Sequence, residues 1–445
     1  MKDLTKGSPA KILISFALPV LIGSIFQQFY GIIDTKIVGQ TLGVNALAAV
    51  GTTSPIMSLI IGFAIGICSG FTIIIAKYYG AHDYDEMRKS VAGTVVLAIG
   101  TAILLTVISL IFIKPLLVLL KTPDGIIDRA MRYISIIFAG MIFTMLYNMF
   151  AGILRALGDS KTPLIFLIIS SGINIGLDYL FILGFKMDVE GAAFATIISQ
   201  VISAGLCFLY IIKKCPELKL SKSDFKLNKY IIKELYIAGL AMGFMMSFVD
   251  IGSVILQGAI NSLGDSIIAA HTAARKITGI LFMPYGALTT AISTYCSQNL
   301  GAGKIDRIKK GIWRAVEISW VWSVFVVIFG YTALSPMALK WLLSSADAEI
   351  VSTAVYYLKI NTPFYFVLAV LLMLRSSMQG FGKKVTPIVS SLIELMGKLL
   401  VTILLVPVFG YLGVCISEPI IWILCSIWLV WALLTDKTLK RWEIS

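Results

Sequence analysis

Residues 46–76 read ALAAVGTTSPIMSLIIGFAIGICSGFTIIIA, a stretch without one charged side chain. A transmembrane helix needs about 20 mainly apolar residues, so the stretch predicts a membrane span that is long enough to tilt or to bend at Pro55. The rest of the chain has the same character: 58% of its 445 residues are hydrophobic, only 14% are charged, and the mean hydropathy is +0.91. One water-soluble core cannot bury that much apolar surface. The sequence therefore predicts an integral membrane protein.

Twelve apolar runs of spanning length follow one another along the chain, and they predict an all-α fold with twelve transmembrane helices. The runs lie near residues 12–38, 46–76, 90–113, 131–154, 162–184, 190–212, 234–262, 266–297, 311–334, 350–378, 385–408 and 412–434. The first run follows three lysines, as the apolar part of a signal peptide would. Because it continues past Gln27 and Gln28 and no small-residue cleavage site follows it, we expect it to be retained as the first helix.

The connections between the runs share the basic residues unevenly. If the N-terminus is cytoplasmic, 25 Lys and Arg fall in cytoplasmic segments and 7 in outer loops. Cytoplasmic loops of membrane proteins are enriched in Lys and Arg. We therefore expect a multi-pass protein of the cell membrane (plasma or inner membrane) with both termini in the cytoplasm. The formal net charge of +13 follows from this asymmetry, so nucleic acid is not an expected partner.

The most basic loop, residues 213–233, lies near the middle of the chain, and the halves on either side of it resemble each other. Residue pairs recur after 221 to 224 positions: Leu42-Gly43 as Leu263-Gly264, Gly80-Ala81 as Gly301-Ala302, and Thr162-Pro163 as Thr386-Pro387. Each half has six spans, so both enter the bilayer in the same direction, related by a pseudo-twofold axis along the membrane normal. We expect two six-helix bundles, an N-lobe (1–212) and a C-lobe (234–445), joined by a cytoplasmic linker (213–233). This architecture suits alternating access.

Ionisable side chains inside spans cost about 2.5–3.5 kcal/mol each on insertion scales, so they are candidates for function. Asp34 lies near the outer end of the first span, Asp178 and Asn174 share one face of the fifth, and Thr196 lies in the sixth. All four can share one layer in the outer half of the membrane. Two carboxylates, an amide and a hydroxyl suit a small cation or a proton.

The internal repeat bears on these carboxylates. It places Ile255 opposite Asp34 and Thr402 near the counterpart of Asp178. The scaffold is therefore duplicated but the two carboxylates are not. Because the symmetry of the fold does not explain the two carboxylates, a functional role is favoured. The alternative is that Asp34 and Asp178 are polar residues near the interface that water solvates.

The C-lobe carries its own ionisable groups. Asp250, near the middle of the seventh span, is either a second cation or drug site or a structural residue paired across helices. Glu394 and Lys398 are four residues apart on one helix and should neutralise each other. Glu418 is unassigned, and Arg275 has no clear partner in the sequence.

Large adaptable side chains also lie in the spans. Phe26, Tyr30, Met242 and Met246 could line a cavity that accepts varied substrates. Such stripes also arise from plain helix packing, and the sequence leaves both readings open.

Several classes of protein are disfavoured by motifs that the sequence lacks. There is no Walker A motif, so ATP is not the expected energy source. A nucleophile elbow and an HExxH motif are also missing. The six cysteines form no CxxC or Cys/His cluster, so they are interpreted as small hydrophobic residues. We therefore expect a secondary active transporter, not an enzyme, with no cofactor beyond a coupling ion.

Taken in order, several short motifs resemble those of the multidrug and toxic compound extrusion (MATE) family over nearly the whole chain. They are Pro19, Ile33-Asp34-Thr35, Val38-Gly39, Leu42-Gly43, Tyr79-Gly80-Ala81, Arg155 to Asp159, Thr162-Pro163, Asn174 to Asp178, and Gln298 to Gly303. The resemblance implies a V-shaped pair of six-helix bundles that exports organic cations or amphipathic compounds in exchange for Na⁺ or H⁺. It also implies a cation site on Asp34, Asn174, Asp178 and Thr196, which would bind Na⁺ directly if the protein is sodium-coupled. Separately, we expect a monomer, although the sequence does not fix the oligomeric state.

Another branch of that family uses a Glu in helix 7 and an Asp in helix 10, whereas this chain offers Asp250 and no Asp in helix 10. Two other functions compete with drug export. A flippase for lipids or lipid-linked sugars tends to have more helices or a strongly cationic cavity, and the N-lobe here is acidic. A membrane-embedded enzyme would need an acid/base or metal cluster at the interface, and none is evident in the sequence.

Overall fold

The computed structural model describes residues 2–226, 228–343 and 347–436, and all regular elements in these ranges are helical. Eleven segments are long and apolar enough to cross a membrane. They are α1 (Pro9–Leu42), α2 (Val44–Gly80), α3 (Tyr84–Leu119), α6 (Lys161–Asp178) with a π-helical turn (Tyr179–Gly184), α7 (Val189–Lys214), α8 (Lys229–Asn261), α9 (Asp265–Gly301), α10 (Ile305–Tyr331), α12 (Ala348–Asn361) with α13 (Tyr365–Gly380), α14 (Val385–Leu404) and α16 (Tyr411–Thr435).

A bent pair of helices supplies the twelfth span. Helices α4 (Asp124–Ala139) and α5 (Met141–Ala156) meet at Gly140 with a bend of 46°. A Cβ atom at Gly140 would lie 2.1 Å from Cδ1 of Ile197, so the Ile197 side chain of α7 packs directly against the bend, and a larger residue there would displace it. The prediction of twelve transmembrane helices is confirmed.

Short elements complete the fold and show how local sequence ends or starts a helix. They are α11 (Leu334–Leu343), α15 (Val406–Phe409) and three 3₁₀ turns (Pro216–Leu218, Lys222–Phe225 and Thr362–Phe364). At the start of α6, the Asp159 side chain accepts hydrogen bonds from the backbone N–H of Lys161 and Thr162 at 3.1 and 3.0 Å. An Asp at this position satisfies N–H groups that have no partner within the helix.

The helix boundaries repeat at the spacing that the sequence predicts. The starts of α2 and α9, at Val44 and Asp265, are 221 residues apart, and those of α6 and α14, at Lys161 and Val385, are 224 apart. Gly43 and Gly264 precede α2 and α9 with φ of 86° and 102°. Glycine adopts such angles without strain, which explains why the Leu-Gly pair recurs in the tight turns before both helices.

The chain divides into two compact units. The N-unit holds residues 2–4 and 18–247, and the C-unit holds Thr5–Ala17 and residues 248–436. These units share most of their residues with the predicted lobes. They differ in that the first part of α1 belongs to the C-unit, while the 213–233 loop and the first part of α8 belong to the N-unit.

Helices α2 and α8 cross closely inside the N-unit. A Cβ atom at Gly66 would lie 2.7 Å from the Met242 carbonyl oxygen, and one at Gly70 would lie 2.4 Å from that of Ala238. The facing positions on α8, Gly239 and Gly243, are also glycines. Small residues four apart let two backbones approach within van der Waals contact, which is a common way to hold membrane helices together.

Candidate functional site

Asp34 projects from α1 at a greater depth than the sequence suggests. Because α1 continues to Leu42, Asp34 lies eight residues, about two turns, before the end of the helix, and not one turn before it. The residue is half-buried, and its Oδ1 atom is buried without a hydrogen-bond partner in the described part of the protein. The distance of Asp34 from the end of its helix is therefore corrected from about one turn to about two, and its position in the outer half of the membrane stays a prediction.

Asp178 and Asn174 lie one turn apart on α6, and both side chains are completely buried. Neither carboxylate oxygen of Asp178, nor the amide oxygen or nitrogen of Asn174, has a hydrogen-bond partner among the described residues. Buried polar atoms without partners are costly and call for an explanation. Asp178 is also the last residue of α6 before the π-helical turn Tyr179–Gly184, and such turns occur often at functional sites.

The carboxyl groups of Asp34 and Asp178 face each other across α1 and α6. Their side chains interact directly with each other. The contact is looser than a well-formed hydrogen bond, since the Asp178 oxygens have no partner at that distance. Two carboxylates this close repel each other unless a proton or a cation lies between them.

Two tyrosines and a threonine complete this cluster, which we call the carboxylate layer. The Tyr30 hydroxyl, one turn before Asp34, lies beside the Thr196 side chain of α7. Tyr133 of α4 is buried within electrostatic range of both Asp34 and Asp178. The structure thus pairs Asp34 with Asp178, places Asn174 one turn from Asp178, and places Thr196 beside Tyr30. Sequence reasoning considered Tyr30 only as a possible lining of a substrate cavity and missed Tyr133, which is one of two tyrosines in the fourth span.

The ligand atoms of the carboxylate layer suit a small hard cation. Carboxylate, amide carbonyl and hydroxyl oxygens are the donors that alkali and alkaline-earth cations accept in proteins. Asp34, Asn174, Asp178 and Thr196 supply these three kinds of oxygen. In the described ranges no three His, Cys, Asp or Glu side chains come together as metal ligands. The six cysteines are buried and unpaired, as predicted.

The proposed cavity residues have different environments. Met242 is buried and packs with Met245 of its own helix and Ile73 of α2. Plain helix packing therefore accounts for Met242. Phe26 and Met246, by contrast, expose 44% and 37% of their surface, so they can contact other molecules.

The C-unit contains two groups of charged residues that the sequence only partly reveals. Arg275 donates to Glu418 at 2.8 Å, and Tyr357 donates to the other oxygen of the same carboxylate at 2.8 Å. Arg275 and Glu418, which the sequence leaves without partners, therefore pair with each other. No local pattern signals this contact because 143 residues separate them.

The second group confirms the predicted pair of Glu394 and Lys398 and adds a third member. Lys398 Nζ lies 3.3 Å from Glu394 Oε1, and Arg375 Nη2 lies 3.0 Å from Glu394 Oε2. Lys398 also donates to Ser253 Oγ on α8 at 3.1 Å. All three charged side chains are buried. Asp250 lies half-buried on α8, three residues before Ser253, and its role stays a prediction.

Comparison with known proteins follows the same division into halves. A sequence model of the MatE family matches residues 19–180 and 241–404. The chain is 32% identical to the "Probable multidrug resistance protein YpnP" of Bacillus subtilis (strain 168) over 69% of this chain and 68% of the relative. It is 29% identical to the "Probable multidrug resistance protein YoeA" of the same organism over 88% of this chain and 86% of the relative.

A solved structure agrees with the fold at full length. The structure described as "Crystal structure of MATE in the bent conformation" superposes with a TM-score of 0.91, 23% sequence identity and 100% coverage of both chains. This likeness confirms the all-helical membrane fold of two six-helix halves.

Proposed function

Because this chain belongs to the MatE family of multidrug efflux transporters, we propose that it exports organic cations or other amphipathic compounds in exchange for Na⁺ or H⁺. The protein is a multi-pass membrane transporter and not an enzyme. The observation that carries the proposal is the facing pair Asp34 and Asp178, whose buried oxygens (Asp34 Oδ1 and both of Asp178) have no hydrogen-bond partner within the described residues. We place the coupling ion between these two carboxylates, with Asn174 and Thr196 as neutral ligands.

Repulsion between the two carboxylates couples ion binding to the change in conformation. With no ion bound, Asp34 on α1 and Asp178 on α6 repel each other, and separation of the helices relieves the repulsion. A bound Na⁺ or proton removes it and favours the closed arrangement of α1, α6 and α7. An ion that binds one conformation more tightly shifts the equilibrium by that difference in affinity. If the substrate binds more tightly to the ion-free conformation, release of the ion and binding of the substrate favour the same state, and alternating access follows.

The structure also suggests which helix moves. Pro19 lies inside α1, where it removes a backbone hydrogen bond and weakens the helix locally. The boundary between the C-unit and the N-unit parts of α1 falls two residues before it, between Ala17 and Leu18. We propose that α1 bends there when the ion binds or leaves Asp34.

We further propose that the protein acts as a monomer in the cell membrane with both termini in the cytoplasm. A flippase for lipids or lipid-linked sugars is not favoured, because the similar proteins carry names of multidrug resistance proteins.

Purified protein in liposomes tests the function. A cationic dye such as ethidium is placed on one side, and a Na⁺ gradient or a pH gradient is imposed separately at zero membrane potential. We expect one gradient to drive dye against its concentration, and the same gradient to fail with Asp34→Asn. Equal dye movement with and without either gradient would contradict coupled export, and movement of a fluorescent lipid instead of the dye would indicate a flippase.

A further inference from the structure

The connection between α7 and α8 is folded onto the N-unit. Its 3₁₀ turns, Pro216–Leu218 and Lys222–Phe225, follow each other within residues 215–226. Cys215 and Leu218 are 1% and 5% exposed, so their side chains are packed into the unit. The segment therefore presents a fixed outer surface, unlike a flexible tether.

The carboxylate of Asp224 is used inside this segment. The Ser221 backbone N–H and hydroxyl donate to Asp224 Oδ2 at 2.7 and 2.8 Å, and Arg88 Nε of α3 lies 3.9 Å from the same atom. The backbone hydrogen bond from Ser221, together with Arg88, holds the pKa of Asp224 below its ordinary value. Asp224 stays charged and anchors the turn to α3, so its charge is directed inward.

The outer surface of the segment is strongly basic. Seven lysines between residues 213 and 233 are exposed: Lys213, Lys214, Lys219, Lys222, Lys226, Lys229 and Lys233. The carboxylates around them are few. Glu234 is held by Lys77 at 3.1 Å and Tyr78 at 3.2 Å, and Glu217 is the one other carboxylate besides Asp224 in the described residues from 213 to 234. The surface therefore keeps a large excess of positive charge.

Exposed apolar side chains accompany these lysines. Ile212, at the end of α7, is 62% exposed, and Tyr230, at the start of α8, is 64% exposed. Phe225 lies between them and is 46% exposed. Both helices are membrane spans, so their ends place this mixture of aromatic and basic residues at the boundary of lipid and water. Aromatic rings and lysine side chains favour that depth because each has an apolar part and a polar end.

We propose that residues 213–226 and 228–233 form a docking surface for the headgroups of anionic phospholipids. The lysines contact the lipid phosphates, and Phe225 and Tyr230 insert among the headgroups. Clusters of four to eight basic residues next to a membrane span attract anionic lipids, and salt screens the attraction. Lipid binding would hold the 3₁₀ turns and the adjoining ends of α7 and α8 together, and so stabilise the N-unit. The inference does not depend on the transported substrate or the coupling ion.

The test measures thermal stability in nanodiscs of neutral phosphatidylcholine and in nanodiscs that contain about one third phosphatidylglycerol. The first variant replaces Lys219, Lys222 and Lys226 with Gln. The matched control replaces Lys114, Lys121 and Lys186 with Gln, which removes the same charge from exposed positions at the other ends of α3 and α6. We expect anionic lipid to raise the Tm of the parent and the control equally, and to raise that of the first variant by less than half as much.

A second measurement reports the surface directly. The native cysteines are all buried, so Ser223→Cys can be labelled with an environment-sensitive dye. We expect the dye emission to shift to the blue in phosphatidylglycerol nanodiscs, and the shift to shrink at high salt. The proposal is overturned by an unchanged emission, or by a first variant that responds to lipid as the parent does. Equal stabilisation by soluble glycerol phosphate would also overturn it, since that result indicates a phosphate site and not a lipid surface.

Discussion

Lys398 occupies in α14 the position that Asn174 occupies in α6, since each is the fourteenth residue of its helix. Thr196 and Glu418 are likewise each the eighth residue of α7 and α16, and Tyr133 and Tyr357 are each the tenth residue of α4 and α12. The same layer is thus acidic in the N-unit and contains built-in cations in the C-unit, where Arg275 and Lys398 accompany the carboxylates.

This difference in polarity predicts which half binds the coupling ion. The buried oxygens of Asp34 (Oδ1) and Asp178 (Oδ1 and Oδ2) in the N-unit have no hydrogen-bond partner in the described structure, so these two carboxylates need a cation or a proton from solution. In the C-unit, Glu418 already pairs with Arg275, and Glu394 already pairs with Arg375 and Lys398. Charged groups that neutralise each other have little remaining affinity for a free cation. The coupling site is therefore expected in the N-unit, at Asp34 and Asp178, and not at Glu394 or Glu418.

Substitutions in the carboxylate layer test this assignment. Asp34→Asn and Asp178→Asn keep the size of the side chain but remove a charge and the ability to take up a proton. We expect each to lower the rate of cation-driven dye export by about tenfold or more. A tenfold change lies within the range that typical coupling free energies between two binding sites produce. Asn174→Ala and Thr196→Ala should have smaller effects, since neutral ligands contribute less than charged ones. Dye efflux from cells that lack their own pumps measures the rates, with expression checked in parallel.

A control for these variants lies on the same helix as Thr196. The Ser199 hydroxyl is buried and donates to the Thr196 carbonyl at 2.8 Å, so it is satisfied within α7. Ser199→Ala should export at the parental rate. If Asp34→Asn and Asp178→Asn also did so, the coupling site would lie elsewhere.

The buried charges around Glu394 predict a large effect on stability. Glu394→Gln leaves Arg375 and Lys398 buried without their shared counterion, and breaking a buried pair on one side costs about 3–5 kcal/mol. Glu317→Gln is the control, because Glu317 and Arg314 form a largely exposed pair on α10, where a loss of about 0–1 kcal/mol is expected. Thermal unfolding in detergent compares the two. A similar Tm for both variants would show that the buried group adds no stability.

The sequence predicts the spans and the repeat well because both depend on composition along the chain. Hydropathy locates Val44–Gly80 and its counterpart Asp265–Gly301, and counting residues from helix ends brings Asp34 and Asp178 to a similar depth. Contacts between distant helices are not predictable in this way. The pairing of Arg275 with Glu418 depends on the rotation and tilt of α9 and α16, which no local pattern encodes.

Two further features of the structure cannot be predicted from the hydropathy of the sequence. The π-helical turn after Asp178 changes the hydrogen-bond pattern without a change in composition. The division of α1 and of α8 between the two units depends on packing, such as the close approach of Gly66 and Gly70 to α8.

That helix crossing yields a separate prediction. A methyl group added at Gly70 would meet the Ala238 backbone at 2.4 Å, and backbone atoms cannot move aside as a side chain can. We expect Gly70→Ala to destabilise the protein by about 1–3 kcal/mol through overpacking. Gly100→Ala is the matched control, because Gly100 lies in α3 with no atom within 4 Å of its added methyl group. The control should be neutral or slightly stabilising, because alanine favours helix more than glycine does. Equal unfolding temperatures for the two variants would rule out the tight crossing.

Asp224 gives the linker a defined pH dependence. Its pKa in the folded protein lies below the ordinary value of 3.8, first because the Ser221 backbone donates to it. A lowered pKa stabilises the fold at pH values above 3.8, and the contribution is lost as the pH falls from there through the folded pKa. The Tm difference between the parent and Asp224→Asn should therefore be constant from pH 7 to about pH 5 and shrink below about pH 4. Ser221→Ala should reproduce part of the difference. A Tm difference between the parent and Asp224→Asn that does not change with pH would mean that the charge of the carboxylate has no role in stability.

The final prediction concerns orientation, on which the position of the lipid-binding surface depends. With 25 Lys and Arg in the expected cytoplasmic segments and 7 outside, the 213–233 loop should face the cytoplasm. Ser223 is exposed in the second 3₁₀ turn of that loop, and Lys186 is exposed in the turn between α6 and α7. In a cysteine-free background, a membrane-impermeant maleimide should label Ser223→Cys in inside-out vesicles and Lys186→Cys in intact cells. These two positions lie at opposite ends of α7, so each serves as the control for the other. Labelling of Ser223→Cys in intact cells, with Lys186→Cys protected there, would reverse the orientation and would move the lipid-binding surface to the outer leaflet.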